Sequence, residues 1–293
     1  MHPIRTSLPR ALLGEAPRYD ASSSTLSWVD LLAGHLWIAH VRPDAPLHAW
    51  LSEPTLLAEL PAPLSCAVRA GGDDDWILAV GGAVVRWSPE TGPTVLAELE
   101  PDAGRTRLND GAVDAAGRFW VGSMGVRRPL EPLGRLHVLD GCSPARAGVR
   151  LEGLLAANGI AWSPDGTITY VVDSGRRLIH RLRTGAASPL EPAGPPLGVP
   201  AGTPDGIVVD GEGCLWVALW DGGSVVRLSP EGGGLARVDL PCSRPTACAL
   251  IGSRLLVTTA QVTGEEGSGR TYAMDVEAGG PPANRASLLP GPG

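Results

Sequence analysis

A strand-turn-strand unit returns along this chain at intervals of roughly 40 to 50 residues, a spacing that belongs to the blades of a ring. Three copies are close. Residues 109–121 read Asn-Asp-Gly-Ala-Val-Asp-Ala-Ala-Gly-Arg-Phe-Trp-Val, residues 205–217 read Asp-Gly-Ile-Val-Val-Asp-Gly-Glu-Gly-Cys-Leu-Trp-Val, and residues 158–170 read Asn-Gly-Ile-Ala-Trp-Ser-Pro-Asp-Gly-Thr-Ile-Thr-Tyr. Each opens on a short oxygen-bearing residue and runs on as a strand. The turns then fall at one offset: Asp114 to Gly117, Ser163 to Gly166 and Asp210 to Gly213. Asp or Ser at the first turn position and Gly at the last is tight-turn chemistry. The unit is a β-hairpin.

Looser copies fill the rest. Glu15 opens one, with Leu26 to Val29 as its second strand; Ser65 opens another, followed by Trp76 to Val80; Thr246 opens the last, followed by Leu255 to Val257. Six copies in 293 residues predict an all-β, six-bladed β-propeller, one domain over residues 1–293. No segment carries a long helical apolar period, and 39 Gly and 28 Pro punctuate the chain, which argues against an α/β fold. Two stretches, 189–200 and 279–293, are too rich in Pro and Gly for strands and are expected as loops or loosely held segments.

Charge narrows the function. Arg supplies all 24 basic residues against 31 acidic ones, a net charge of −7 without any basic stripe, so no nucleic-acid partner is expected. Without Lys there is neither Schiff-base chemistry nor a Walker-type phosphate loop. Residues 1–14 form no continuous apolar run, and the expectation is a cytoplasmic protein with no membrane span and no obligate protein partner. The five Cys form no CxxC pair, and Cys66, Cys214 and Cys248 fall inside strands, as buried small hydrophobes do. The six His have no ligand spacing; His137 and His180 lie in strands as structural residues. No Gly-x-Ser-x-Gly elbow is present.

In a propeller the innermost strands line a central channel. The repeat starts then face one another: Glu15, Ser65, Asn109, Asn158, Asp205 and Thr246 or a neighbour. Two carboxylates and two amide oxygens make a hard, oxygen-only set that suits one divalent cation: Ca²⁺, Mg²⁺ or Mn²⁺, and less ideally Zn²⁺ or Fe²⁺. Turn residues bonding their own backbone would give the same letters one at a time.

The segments Gly14 to Pro17, Arg107 to Gly111, Phe119 to Met124, Asn158 to Trp162, Val172 to Ser174, Pro204 to Gly206 and Leu215 to Ala218 come in the order of, and together resemble, the regucalcin (senescence marker protein)/gluconolactonase family. The resemblance implies one metal ion in the channel and hydrolysis of sugar lactones. It implies Glu15, Asn158 and Asp205 as metal ligands, Arg107 and Asn109 as substrate-binding groups, and Asp205 as the base that orients or deprotonates water. Asp173 is either a second carboxylate behind the ligands or a strand-end structural residue, and Trp220 either walls the pocket or packs. One departure stands out. Where the family often carries a substrate-touching acid after Gly-Ser-Met, this chain has Arg127 and Arg128, with Glu131 further on, which points to an altered or more anionic substrate. Two other functions fit the same scaffold: hydrolysis of phosphotriesters or other esters, and binding of a metal or metabolite without catalysis.

Overall fold

The computed structural model describes residues 2–102, 104–142, 147–185, 189–199 and 201–287. Six antiparallel sheets form a six-bladed β-propeller. The innermost strands are Gly14–Asp20, Leu64–Ala70, Thr106–Val113, Ala157–Trp162, Thr203–Val209 and Pro245–Thr259, one per blade and in chain order around the ring. All six begin within one to three residues of the predicted repeat starts. The turns are as read: Gly117, Gly166 and Gly213 each donate their N–H to the residue three earlier and sit at φ of 78°, 71° and 82°. A side chain there would be strained, which is why the last turn position is Gly.

Blade 6 is built differently. Pro245–Thr259 folds on itself at Gly252, and the hydroxyls of Thr246 and Thr258 meet at 2.8 Å across that hairpin. Its third strand is Tyr272–Gly280, and its outermost strand is Ile4–Arg5 from the other end of the chain. The ring is thus clasped by pairing the N-terminal segment into the last blade, which leaves no open sheet edge between first and last blades.

Trp28, Trp76, Trp120 and Trp216 stand on the second strands of blades 1, 2, 3 and 5, and all are fully buried. Truncating any of them to Ala would cost about 3–5 kcal/mol. The cysteines named above are buried, as expected. The two stretches read as loop or loosely held are mostly loop, though anchored at defined points. Leu197–Gly198 pairs with Leu178–Arg183 as the fourth strand of blade 4, with Leu190 and Leu197 buried; Pro200 lies outside the described residues. In the tail, Gly279 and Gly280 end the third strand of blade 6. Ala283, Ala286 and Ser287 then donate their N–H groups to Tyr19, Arg69 and Gly117 of three successive blades. Residues 288–293 lie outside the described part. No helix among the described residues is long and apolar enough to cross a membrane.

Candidate metal and substrate site

The donor positions share a backbone device. Pairing with the second strand slips at one place in each inner strand: between Leu108 and Gly111, Ala157 and Ile160, Pro204 and Ile207, and one residue later in blade 1, between Glu15 and Arg18. Two residues there oppose one, a β-bulge, which turns a side chain out of the ladder. The bulges contain Asn109 and Asp110, Asn158 and Gly159, and Asp205 and Gly206. In blade 1 the bulge follows Glu15, and Ala16 takes a left-handed φ of 46°, a local strain that the fold sustains. The glycines let the inner strands converge. A Cβ on Gly159 would stand 2.6 Å from the Ile207 nitrogen, and one on Gly206 would stand 2.6 Å from Ala247 Cα.

The carbonyl just before each of the four donor positions is held by the preceding blade. Ser65 Oγ donates to Leu108 O (2.7 Å), Asn109 Nδ2 to Ala157 O (2.9 Å), Ser174 Oγ to Pro204 O (2.7 Å), and Thr246 Oγ1 to Gly14 O. Ser65 and Thr246, expected to face the channel with the donors, instead tie blade to blade. Two buried carboxylates steady the chain further back. Asp30 accepts from the backbone N–H of Leu12 (2.8 Å) and Leu13 (3.1 Å), ahead of Glu15. Asp173 accepts from Leu155 (3.2 Å) and Ala156 (3.1 Å), ahead of Asn158, and pairs with Arg176. Of the two readings of Asp173, the strand-end role is the one its bonds describe. Asp30 was missed, although Trp28-Val29-Asp30 and Val171-Val172-Asp173 end their strands alike.

At the channel end three buried carboxyls gather. Burial lifts Glu15 well above its ordinary range, and the charges of Asp205 and Asp110 lift it further, against Arg107. Burial and Asp110 do the same to Asp205, against Asn158 and Arg107. Burial also raises Asp110, whose opposing partner is Arg18 at 3.6 Å. Burial explains all three, and like charge adds to it for Glu15 and Asp205. Asp205 Oδ1 is buried and accepts no hydrogen bond. Asn158 spends its amide N–H on Ser174 Oγ (3.2 Å), so its carbonyl oxygen is left over as a donor atom. Asn109 likewise keeps its oxygen. Arg107, half-buried, donates one N–H to Leu108 O (2.9 Å) and keeps the rest of its fork.

A hard divalent cation fits Glu15, Asn158 and Asp205: it would neutralise two destabilised carboxylates and occupy the orphaned oxygen. No cluster of three or more His, Cys, Asp or Glu with metal-binding geometry occurs among the described residues. That accords with a set whose third member is an amide. Arg18, whose guanidinium donates to Gly111 O, crosses the channel behind Asp110. Beyond it opens a cavity of about 490 Å³ lined by Val68, Ala112, Ile160, Ile207 and Cys248, and none of the donors reaches it. Asp110 and Arg18 were not singled out from the sequence, though a second polar residue in Asn-Asp-Gly was the available sign. Trp220 is half-buried beneath the Arg244 guanidinium at 4.8 Å, a stacking partner rather than an open wall. His137 is structural as read, its Nε2 3.0 Å from the buried Glu100, whereas His180 Nε2 is buried without a partner.

The SMP-30/Gluconolactonase/LRE-like region matches residues 13–261, a span that contains every donor. The chain belongs to this family. It is 33% identical over 255 residues to a 6-deoxy-6-sulfogluconolactonase of Pseudomonas putida, covering 84% of this chain and 81% of that one. It is 34% identical over 266 residues to an L-arabinolactonase of Azospirillum brasilense, covering 86% and 82%. Among solved structures, a calcium-binding protein, regucalcin, from Agrobacterium tumefaciens superposes with a TM-score of 0.81 at 28% identity, over 96% of this chain and 95% of that one.

Proposed function

We propose that this protein is a divalent-cation-dependent lactonase that opens sugar lactones, working as one propeller unit. The observation that carries the reading is the convergence on one channel end of Glu15, Asn158 and Asp205, each on a backbone pinned by its neighbouring blade, with Asp205 Oδ1 unpartnered. Membership of the family, and relatives named as lactonases of two different sugars, support the substrate class.

Glu15, Asn158 and Asp205 would hold the cation. The chemistry a bound cation supplies is polarisation of the lactone carbonyl and a lowered pKa for an adjacent water. Asp205, beside the bound cation, takes the proton of the attacking water. The proton returns to the ring oxygen as the C–O bond breaks, leaving the open hydroxy acid. Arg107 presents the free arms of its fork to a sugar hydroxyl or to the carboxylate that forms. Asn109, fixed through Ala157 O, offers its carbonyl oxygen to a sugar hydroxyl.

Metal analysis of the purified protein, then acid release from a panel of lactones with EDTA and with each cation restored, tests the reading. The expected result is turnover that EDTA abolishes and a divalent cation restores. Metal-independent turnover, or none on any lactone, would sink it.

A further inference from the structure

The loop after the second strand of blade 3 carries two arginines for which the chemistry above has no use. Phe119–Gly125 pairs with Thr106–Val113 so that Arg107 lies opposite Met124 and Thr106 opposite Gly125. Val126 N–H then donates to Arg105 O (2.9 Å), so the loop leaves the blade at the donor end of the channel, beside Arg107. Val126 to Pro129 are exposed. The carboxylate in this loop, Glu131, is turned to Arg105 at 3.7 Å, and Arg127 borders the same small cleft. Neither Arg127 nor Arg128 has an ion-pair partner among the described residues.

The Val126–Arg105 bond and the Glu131–Arg105 pair hold this loop against the start of the strand that carries Arg107, so Arg128 stands at the same rim. In a chain of net charge −7 this rim is a local positive exception. Two guanidiniums brought together with no carboxylate between them repel, and an anion spanning both forks relieves them. A neutral hydroxyl would leave most of that repulsion in place.

We propose that the lactone opened here carries a second, anionic group away from its ring carbonyl (a phosphate, sulfonate or carboxylate), and that Arg128, together with Arg107, binds that group. This rests on the lactonase reading. Arg128 is a specificity-determining residue: it acts on the part of the substrate that does not react.

The test pairs glucono-1,5-lactone with its 6-phosphate on the cation-loaded protein, and gluconate with 6-phosphogluconate in calorimetry. The ratio of kcat/KM, phosphorylated over neutral, should be at least about tenfold and fall as salt rises. In R128Q that ratio should drop toward one, and R128K should recover part of it. Circular dichroism confirms that the exposed substitution leaves the fold intact. A ratio near one in the wild type, or unchanged in R128Q, overturns the inference while leaving the lactonase reading standing. If neither lactone turns over, the lactonase reading fails; tighter binding of 6-phosphogluconate that R128Q abolishes would then keep the anion site, and equal binding would end that too.

Discussion

Asp205 and Asp210 flank the two ends of one inner strand of blade 5, both buried, and their carboxylates live in opposite circumstances. Asp210 is saturated. Its Oδ1 accepts from the N–H of Glu212 and Cys214 at 3.0 Å each, and its Oδ2 from Arg227 Nε at 2.8 Å. Asp205 has an orphaned oxygen, and burial together with the Asp110 charge raises its pKa. Blade 3 repeats the contrast: Asp114 is bonded to Ala116, Arg118 and Trp120, while Asp110 accepts from Gly111 N–H (2.7 Å), has an arginine at 3.6 Å and a raised pKa. One end of the ring spends its acids on turns; the other keeps them incompletely satisfied. A buried polar group left short of partners is costly, so its persistence points to a ligand.

The largest effect that would sharpen this contrast is catalytic. Asp205→Asn should lower kcat by about three orders of magnitude if the side chain is the base. Its melting temperature in EDTA should stay level or rise, because a repelled charge is gone. Lactone hydrolysis near the wild-type rate would remove Asp205 from the mechanism.

The mirror experiment is Asp210→Asn. Loss of a buried acceptor bonded to a cation and two N–H groups should cost about 2–3 kcal/mol in urea unfolding. Activity per folded molecule should persist. Should D210N and D205N behave alike, the distinction between the two ends collapses.

Next comes pH. Glu15 and Asp205 keep their protons above the ordinary values of 4.5 and 3.8. Without a cation the folded protein therefore binds more protons than the unfolded one from those values up to the raised ones, and their contribution to stability falls as pH rises through that window. In EDTA, wild type should lose stability relative to the E15Q/D205N double variant as pH climbs from 4 to 7. A saturating divalent cation should cancel or reverse the trend. A flat difference would show that the two carboxylates do not repel.

The smallest effect concerns the blade ties. Thr246→Val and Ser65→Ala each leave one buried carbonyl unpaired and should cost about 1 kcal/mol in unfolding. T246V should also weaken cation affinity, measured by calorimetry, because Gly14 O precedes Glu15. S65A should act on Asn109 and on the KM for lactone. Equal effects of both on metal and substrate would mean that the ties stabilise the ring without aiming particular donors.

The positions of the candidate donors were legible because each lies at a bulge, and the repeat shows that offset again and again. Glu15 was readable on weaker grounds, since its bulge falls one residue later. Ser65 and Thr246 were misread: a hydroxyl at the repeat start gives no hint whether it faces the channel or the neighbouring blade. Asp110 and Arg18 escaped notice because their pairing joins blades far apart in sequence.

Strand period, turn residues and the glycines where inner strands converge are local requirements, so the amino-acid order alone determined a six-bladed ring with oxygen donors at one end. Which oxygens stay unpaired is a different matter. It depends on what the adjacent blade places within about 3 Å, the reach of a hydrogen bond. Only the closed ring decided that Asp210 would be saturated and Asp205 left open, and that two residues near the start would clasp the last blade.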